Sequence, residues 1–375
     1  MKCLRISFRS FRNIEEECVD FTDGTNVLFG ENAQGKSNIL EGIYFFARGR
    51  SFRGAKEKEM IRFGDRSASL SLDYIKDSDK YPVSLGCEIL GEGRKIITKN
   101  QAKLTGAKEM IGAFRAVLFC PAHLTLVSGG PALRRSFMDI ALSQLHPAYL
   151  DSLSKYNRAL IQRNSLIKKA QSEGKGSQDS YLWEIYADQL SRFGSDIAAR
   201  RLDYMRLLSS YIADIFDSMT NGREKPSLTY RSSCIGEMEN GDEIRKEGRE
   251  TLFRSLLDNI DREIIVGSTL YGAHKDDIQV RLNSKEAKTY ASQGQQRSLA
   301  LSMKLGEGEI AKKISGEYPV FLLDDVLSEL DLSRRRFVLS NLSDRQLIVT
   351  SCEPDIFRSS DSNTKLLHIE NGRLV

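Results

Sequence analysis

No run of about 18 apolar residues occurs anywhere in the 375 residues, so no membrane-spanning helix is expected. The first ten residues alternate Leu4, Ile6 and Phe8 with Arg5, Ser7 and Arg9. A signal peptide needs an unbroken apolar core, and this alternation reads instead as a half-buried strand. The six cysteines (Cys3, Cys18, Cys87, Cys120, Cys234 and Cys352) include no Cys-x-x-Cys pair, which argues against a zinc clip or a dithiol redox motif. Reduced thiols in a cytoplasmic protein are the expectation. Repeats and low-complexity tracts are also missing. So is a strong excess of one charge: 55 basic and 51 acidic side chains leave +4, too little to identify a nucleic-acid binder, although a single basic face can hide in such an average.

What is present is an ordinary globular composition, 40% apolar and 28% charged, over a length that fills one large core or two moderate ones. Short apolar strands bounded by turn signals are expected at 3–8, 26–29, 68–74, 83–90, 94–98 and 116–119. One clear helix interrupts them from Lys36 to about Ala47, with Ile39, Leu40, Ile43, Phe46 and Ala47 at helical spacing. From Pro131 the pattern becomes helical. Leu150, Leu153, Leu160 and Ile167 form one stripe, and Leu190, Phe193, Ile197, Tyr204, Leu208, Tyr211 and Ile215 form another. Residues 171–180, polar and rich in Gly and Ser, read as the tip joining two antiparallel helices. Residues 221–250 are polar and read as loop around a strand at 228–231, and strand-and-helix character returns after Ile264. The expected organisation is one discontinuous lobe of residues 1–125 with 266–375, and a helical lobe of residues 126–265.

Gly30, Glu31, Asn32, Ala33, Gln34, Gly35, Lys36 and Ser37 fit the phosphate-loop pattern G-x-x-x-x-G-K-[ST]. They follow an apolar strand and open a helix, the context that the chemistry requires. Glycines let backbone N–H groups turn inward on phosphates and the helix N-terminus adds a favourable field. Lys36 would reach the outer phosphates of ATP, and Ser37 would ligate Mg²⁺. Near the other end, Tyr318 to Leu323 form an apolar run that ends in Asp324 and Asp325. A buried parallel strand delivers an acid to a nucleotide in this way, with Asp324 in the Mg²⁺ shell and Asp325 able to orient the attacking water. Alone, the pattern is equally compatible with a strand capped by a solvated acidic turn. Ser292 and Gly294 open a further helix, offering either a second anion site or simply a capped helix.

Ser292, Gly294 and Gln295 at a helix start, upstream of an apolar strand ending in two aspartates, resemble the signature of ABC-type ATPases. The phosphate loop near one end, signature and second acid near the other, and a helical hairpin between them resemble the SMC-like branch. Phe11-Arg12-Asn13, the loop through Asn38, residues 49–53, 131–139 and 272–277, and Ser292 to Arg297 resemble the RecF family from end to end. That resemblance implies an α/β, ABC-type ATPase head with a mixed sheet from both chain ends and an inserted α-helical lobe carrying a short antiparallel coiled-coil hairpin. It implies an ATP-dependent homodimer, each signature closing on the nucleotide held by the other copy. It further implies binding of gapped DNA at single-strand/double-strand junctions, action with RecR and RecO to load RecA in recombination, repair and replication restart, and weak DNA-stimulated ATPase activity.

Carried over to this sequence, Arg12 and Asn13 would approach the nucleotide, and residues 327–331 would cross the dimer seam. Three positions depart from the pattern. Asp325 replaces the usual catalytic glutamate and is one methylene shorter, which implies slow hydrolysis. Thr350, Ser351 and Cys352 stand where a switch histidine is expected, and they do not carry a proton on and off near neutral pH as histidine does. Cys120 to His123 lack the expected glutamine, which leaves His123 either as its replacement or as a structural histidine. Basic runs at Arg48, Arg50, Arg53 and Lys56, at Arg134 and Arg135, at Arg200 and Arg201, and at Arg334 to Arg336 are either solvated faces or DNA contacts. The alternative function is that of another SMC-like or ABC-type ATPase, such as a transporter nucleotide-binding subunit, which would need a membrane partner.

Overall fold

The computed structural model describes residues 1–173, 180–220, 222–232, 240–354, 357 and 364–375. The chain divides into two compact units, Met1–Thr125 with Arg297–Val375, and Leu126–Gln296.

The first unit contains two six-stranded sheets. One is antiparallel and runs, in spatial order, Ile14–Asp20, Lys2–Phe11, Ser67–Ile75, Val83–Leu90, Lys95–Lys99 and Ala102–Lys103. Along Lys2–Phe11 the buried apolar side chains are Cys3, Ile6, Phe8 and Phe11, so strict alternation breaks twice. A bulge between Cys3 and Arg5 accounts for the first break, and a left-handed Ser10 (φ 55°) lies at the second. The other sheet runs Arg373–Leu374, Thr364–Glu370, Thr25–Phe29, Leu347–Ser351, Val320–Asp324 and Ala116–Phe119. Its pairings are parallel except at the Arg373–Leu374 edge, so the sheet is mixed and draws on both chain ends. Val320–Asp324 is buried throughout, as a parallel strand covered on both faces must be.

Helix Lys36–Arg48 contacts strands of both sheets, which explains why it is buried continuously from Ile39 to Ala47 and shows no polar face there. Its Gly42 faces strand Lys2–Phe11 at such close quarters that a Cβ would lie 2.2 Å from the Phe8 ring. Gly49 ends the helix in left-handed conformation (φ 76°) and returns its N–H to Phe45 O at 2.7 Å.

The second unit holds helices Pro131–Leu145, Pro147–Glu173 and Ser180–Thr220, the last two forming the expected hairpin. Its expected tip falls largely on residues 174–179, outside the described residues. The buried stripe of Pro147–Glu173 is Tyr149, Tyr156, Ala159, Arg163 and Ile167, while Leu150, Leu153 and Leu160 lie half-buried beside it. Part of the region expected as loop is helical: Asn240 caps Gly241–Glu243 by accepting from Glu243 N at 2.8 Å, and helix Arg249–Asp258 follows. The second boundary also differs from the expected one at 265. Strand Asp277–Leu282 pairs with Pro226–Arg231 and with Lys285–Glu286, which holds residues 266–296 in the second unit.

No helix among the described residues is long and apolar enough to cross a membrane.

Candidate functional site

The carboxyl ends of Thr25–Phe29, Leu347–Ser351 and Val320–Asp324 lie side by side, because the register pairs Phe29 with Ser351 and Thr350 with Asp324. Parallel sheets place ligand sites at this edge. A cavity of about 350 Å³ opens there, lined by Asn32, Ala33, Gln34, Gly35, Lys36, Ser37, Asn38, Arg53, Asp325 and Thr350. Every one of these residues belongs to the first unit.

The phosphate loop reaches this edge through positive backbone angles, two of the three at glycines, which adopt them without a Cβ clash. Gly30 (φ 147°), Ala33 (φ 66°) and Gly35 (φ 111°) all have positive φ. A Cβ on Gly30 would lie 2.3 Å from Ile369 O, so a side chain there is excluded by contact as well as by angle. The first turn of helix Lys36–Arg48 carries no acidic residue, leaving its N-terminal field open to an anion. Lys36 is buried and its Nζ donates to Gly30 O at 2.6 Å and Glu31 O at 2.7 Å, with Cys352 Sγ at 3.5 Å. Cys352 in turn donates to Asn32 Oδ1 at 3.1 Å.

The acids are arranged differently from one another. Asp324 is buried and its Oδ1 accepts from Thr350 Oγ1 at 3.2 Å. Asp325 is exposed at the cavity wall in left-handed conformation (φ 50°), and its N–H donates to Thr350 Oγ1 at 2.9 Å. One hydroxyl thus holds both aspartates. Ser37 lines the cavity, whereas Asp324 is not among the lining residues and lies buried at the adjoining strand end; a hydroxyl and a carboxylate are the kinds of oxygen donor that Mg²⁺ takes, with phosphate and water completing its shell. Among the described residues no group of three or more His, Cys, Asp or Glu side chains could hold a metal by itself.

Arg12 and Asn13 are not among the residues lining the cavity. The Arg12 guanidinium is bidentate to buried Glu41, at 3.0 and 2.6 Å, and donates to Glu59 O at 2.8 Å. Asn13 supports the loop from behind: its Nδ2 donates to Gln34 O at 3.3 Å and its Oδ1 accepts from Asn38 Nδ2 at 2.8 Å. Arg53, which the sequence places in a basic run and in one of the family-like segments, lines the cavity and donates to Asn38 Oδ1 at 2.9 Å. His123 lies at the end of strand Ala116–Phe119, where its Nδ1 faces Cys120 N at 3.3 Å. Burial, then the nearby Lys304 and Arg48, hold its imidazole well below the usual histidine range.

Ser292 forms a capping box in the second unit. Its Oγ accepts from Gln295 N at 3.2 Å, and its N–H donates to Gln295 Oε1 at 2.7 Å. Gln295 Nε2 also reaches Glu224, and Gly294 between Gln293 and Gln295 is the one bare position in the first turn. In the first unit the loop after Asp325 is tied down by arginines. Arg297 donates to Glu329 O at 2.6 Å and Arg335 to Leu327 O at 3.1 Å, and Asp331 caps helix Leu332–Asn341.

Two of the basic runs are structural. Arg134 is buried and bidentate to Asp277 at 2.8 and 2.9 Å, while Arg201 is buried against Asp139 and Ala273 O. Arg135 donates to Asp276 O and Arg200 pairs with Asp196.

The family model of the RecF/RecN/SMC N terminal domain matches residues 2–374. The chain is 38% identical over 364 residues to the DNA replication and repair protein RecF of Clostridium novyi (strain NT), covering 97% of this chain and 96% of that one. The chain belongs to the RecF family. A second RecF relative, from Halalkalibacterium halodurans, is 37% identical over 373 residues, with 99% and 98% covered. The solved structure of the recombination mediator protein RecF–ATPrS in the RecFOR pathway is 33% identical and superposes with a TM-score of 0.88, over 100% of this chain and 97% of that one. The Smc head bound to the C-winged helix domain of ScpA, 13% identical with a TM-score of 0.58, shares the head fold. Membership of the RecF family places this chain among SMC-like, ABC-type ATPases.

Proposed function

We propose that this chain is an ATP-driven DNA-binding switch of the RecF type. The observation that carries the reading is the cavity at the sheet edge, where Lys36, Ser37, the loop amides, Asp325 and Thr350 converge in a chain of this family. A triphosphate lies against the loop N–H groups, and Lys36 transfers its donors from Gly30 O and Glu31 O to the outer phosphates. Ser37 and Asp324 would hold Mg²⁺, which when bound would supply neutralisation of phosphate charge. Asp325 orients the attacking water. Its short side chain sets it farther from that water than a glutamate would be, so turnover is weak and times release.

The nucleotide is completed by Ser292, Gly294 and Gln295 of a second copy, and ATP therefore favours the homodimer by mass action. The dimer holds gapped DNA at a single-strand/double-strand junction, and with RecR and RecO it promotes RecA loading in the cytoplasm. Of the basic runs, exposed Arg50 and Lys56 support this reading best, because Arg53, Arg134, Arg135, Arg200, Arg201, Arg334 and Arg335 are engaged within the protein.

Light scattering of the purified protein with and without ATP, repeated with gapped, duplex and single-stranded DNA, tests the reading. A dimer with ATP that binds gapped DNA most tightly is the expected result. A monomer under every condition sinks the proposal.

A further inference from the structure

The phosphate loop is held on its outer side by a hairpin more than 300 residues away in sequence. Strands Thr364–Glu370 and Arg373–Leu374 are joined by Asn371 and Gly372, both left-handed at φ 51° and φ 78°. This two-residue Asn-Gly turn is the tight hairpin connection whose twist matches its strands. Its consequence is that two successive amides point away from the hairpin. Asn371 N donates to Gln34 Oε1 at 2.6 Å and Gly372 N to Gln34 O at 2.7 Å. Gln34 O also receives Asn13 Nδ2 at 3.3 Å, so the residue is gripped from two sides.

Close packing makes the grip specific. A Cβ on Gly35 would lie 2.9 Å from Asn13 Oδ1 and 3.3 Å from Gly372 Cα, and one on Gly372 would lie 2.8 Å from Asn13 O. Three backbones meet where no side chain fits. The hairpin is itself anchored, with Leu374 N on Glu17 Oε2 at 2.8 Å, Arg373 on Glu15 at 3.1 Å and His368 stacked on Phe29 at 4.8 Å.

The geometry points to Asn371 and Gly372 as positioning residues for the phosphate loop: through Gln34 they fix the loop in its phosphate-binding shape before nucleotide arrives. This rests on the nucleotide reading of the loop given above. Preorganisation of this kind shows in affinity, because a floppy loop must be ordered on binding. It leaves the reacting groups Lys36, Asp324 and Asp325 untouched.

The test compares Asn371→Val, which cannot hold the left-handed turn, Gln34→Met, which removes the side-chain acceptor and leaves the hairpin intact, and Asn371→Gly, which keeps both the turn and the N–H. Binding of a fluorescent ATP analogue, phosphate release at saturating ATP, and amide hydrogen exchange are measured on the full chain. Asn371→Val and Gln34→Met are expected to weaken binding about tenfold, with the saturated rate holding in Asn371→Val, and Asn371→Gly is expected to keep wild-type affinity. Exchange across residues 31–37 in nucleotide-free protein should quicken, with strand Val320–Asp324 still protected. If Asn371→Val also unprotects that strand, Gln34→Met decides. Wild-type affinity and wild-type exchange in Gln34→Met overturn the inference. A wild-type protein that binds no nucleotide overturns the underlying reading, whereas unchanged loop exchange overturns only the positioning role.

Discussion

The hydroxyl of Thr350 donates to Asp324 Oδ1 at 3.2 Å while accepting the N–H of Asp325 at 2.9 Å. A neighbouring strand thereby fixes the two acids at the end of Val320–Asp324 relative to each other. Thr350→Val keeps the shape and removes both bonds. Phosphate release at saturating ATP should fall by roughly tenfold, with little change in nucleotide affinity, because the acids and not the loop lose their alignment. An unchanged rate would show that Asp325 is held by its own turn alone.

Lys36→Arg should retain ATP binding and lose turnover. The planar guanidinium can still neutralise phosphate, but it cannot occupy the compact position now between Gly30 O and Glu31 O. Equilibrium binding should remain within a few-fold of wild type while phosphate release drops by roughly a hundredfold. Normal hydrolysis in this variant would remove Lys36 from the chemistry.

Arg163 and Glu263 form a fully buried ion pair, with Arg163 also donating to Leu256 O at 2.7 Å and lying over the Trp183 ring at 5.5 Å. Burial pushes the Glu263 carboxyl up despite its partner. Arg163→Met should therefore cost about 3–5 kcal/mol, since it strands a buried acid. The double variant Arg163→Met with Glu263→Gln should recover much of that loss. Urea unfolding of the two variants checks both statements, and equal midpoints for the single and double variants would contradict them.

His274 gives a pH dependence. Burial holds its imidazole down to about 4, with Nδ1 2.7 Å from Tyr156 Oη and Nε2 3.1 Å from Thr269 O. The neutral ring donates through Nε2 and accepts at Nδ1. Between about pH 6.5 and pH 4 the unfolded chain binds the extra proton and the native chain does not, so stability falls as pH falls. The loss approaches about 3 kcal/mol at the bottom of that window. His274→Gln should flatten this part of the stability profile, and an identical slope in the variant would assign it to other groups.

The parts legible in the sequence are those whose geometry is local. The strand-turn-helix unit around Gly30, Gly35 and Lys36 is legible because its signals are contiguous, and Val320–Asp324 because an all-apolar strand is its own signal. What escaped depends on distant partners. Thr350 gains its role from a residue 25 positions away, and Gln34 from one 337 positions away. Arg134 and Arg201 look like surface charge until Asp277 and Asp139 are folded against them. Arg12 is held by the buried carboxylate of Glu41, a partner 29 positions away that nothing beside it in sequence announces. Residues 266–296 fall in the second unit although nothing near them in sequence reveals that Asp277–Leu282 pairs with Pro226–Arg231.

Strand Thr25–Phe29 is flanked by Leu347–Ser351 and Thr364–Glu370, both of which leave the ribosome long after it. Until they arrive, the strand has open edges and the loop beyond it has no brace. Sequence separation of this size slows folding and exposes pairing edges during synthesis. Nascent chains stalled before these strands should therefore depend on chaperones and fail to be rescued by ATP, since the binding loop takes shape only when the last strands of the sheet are in place.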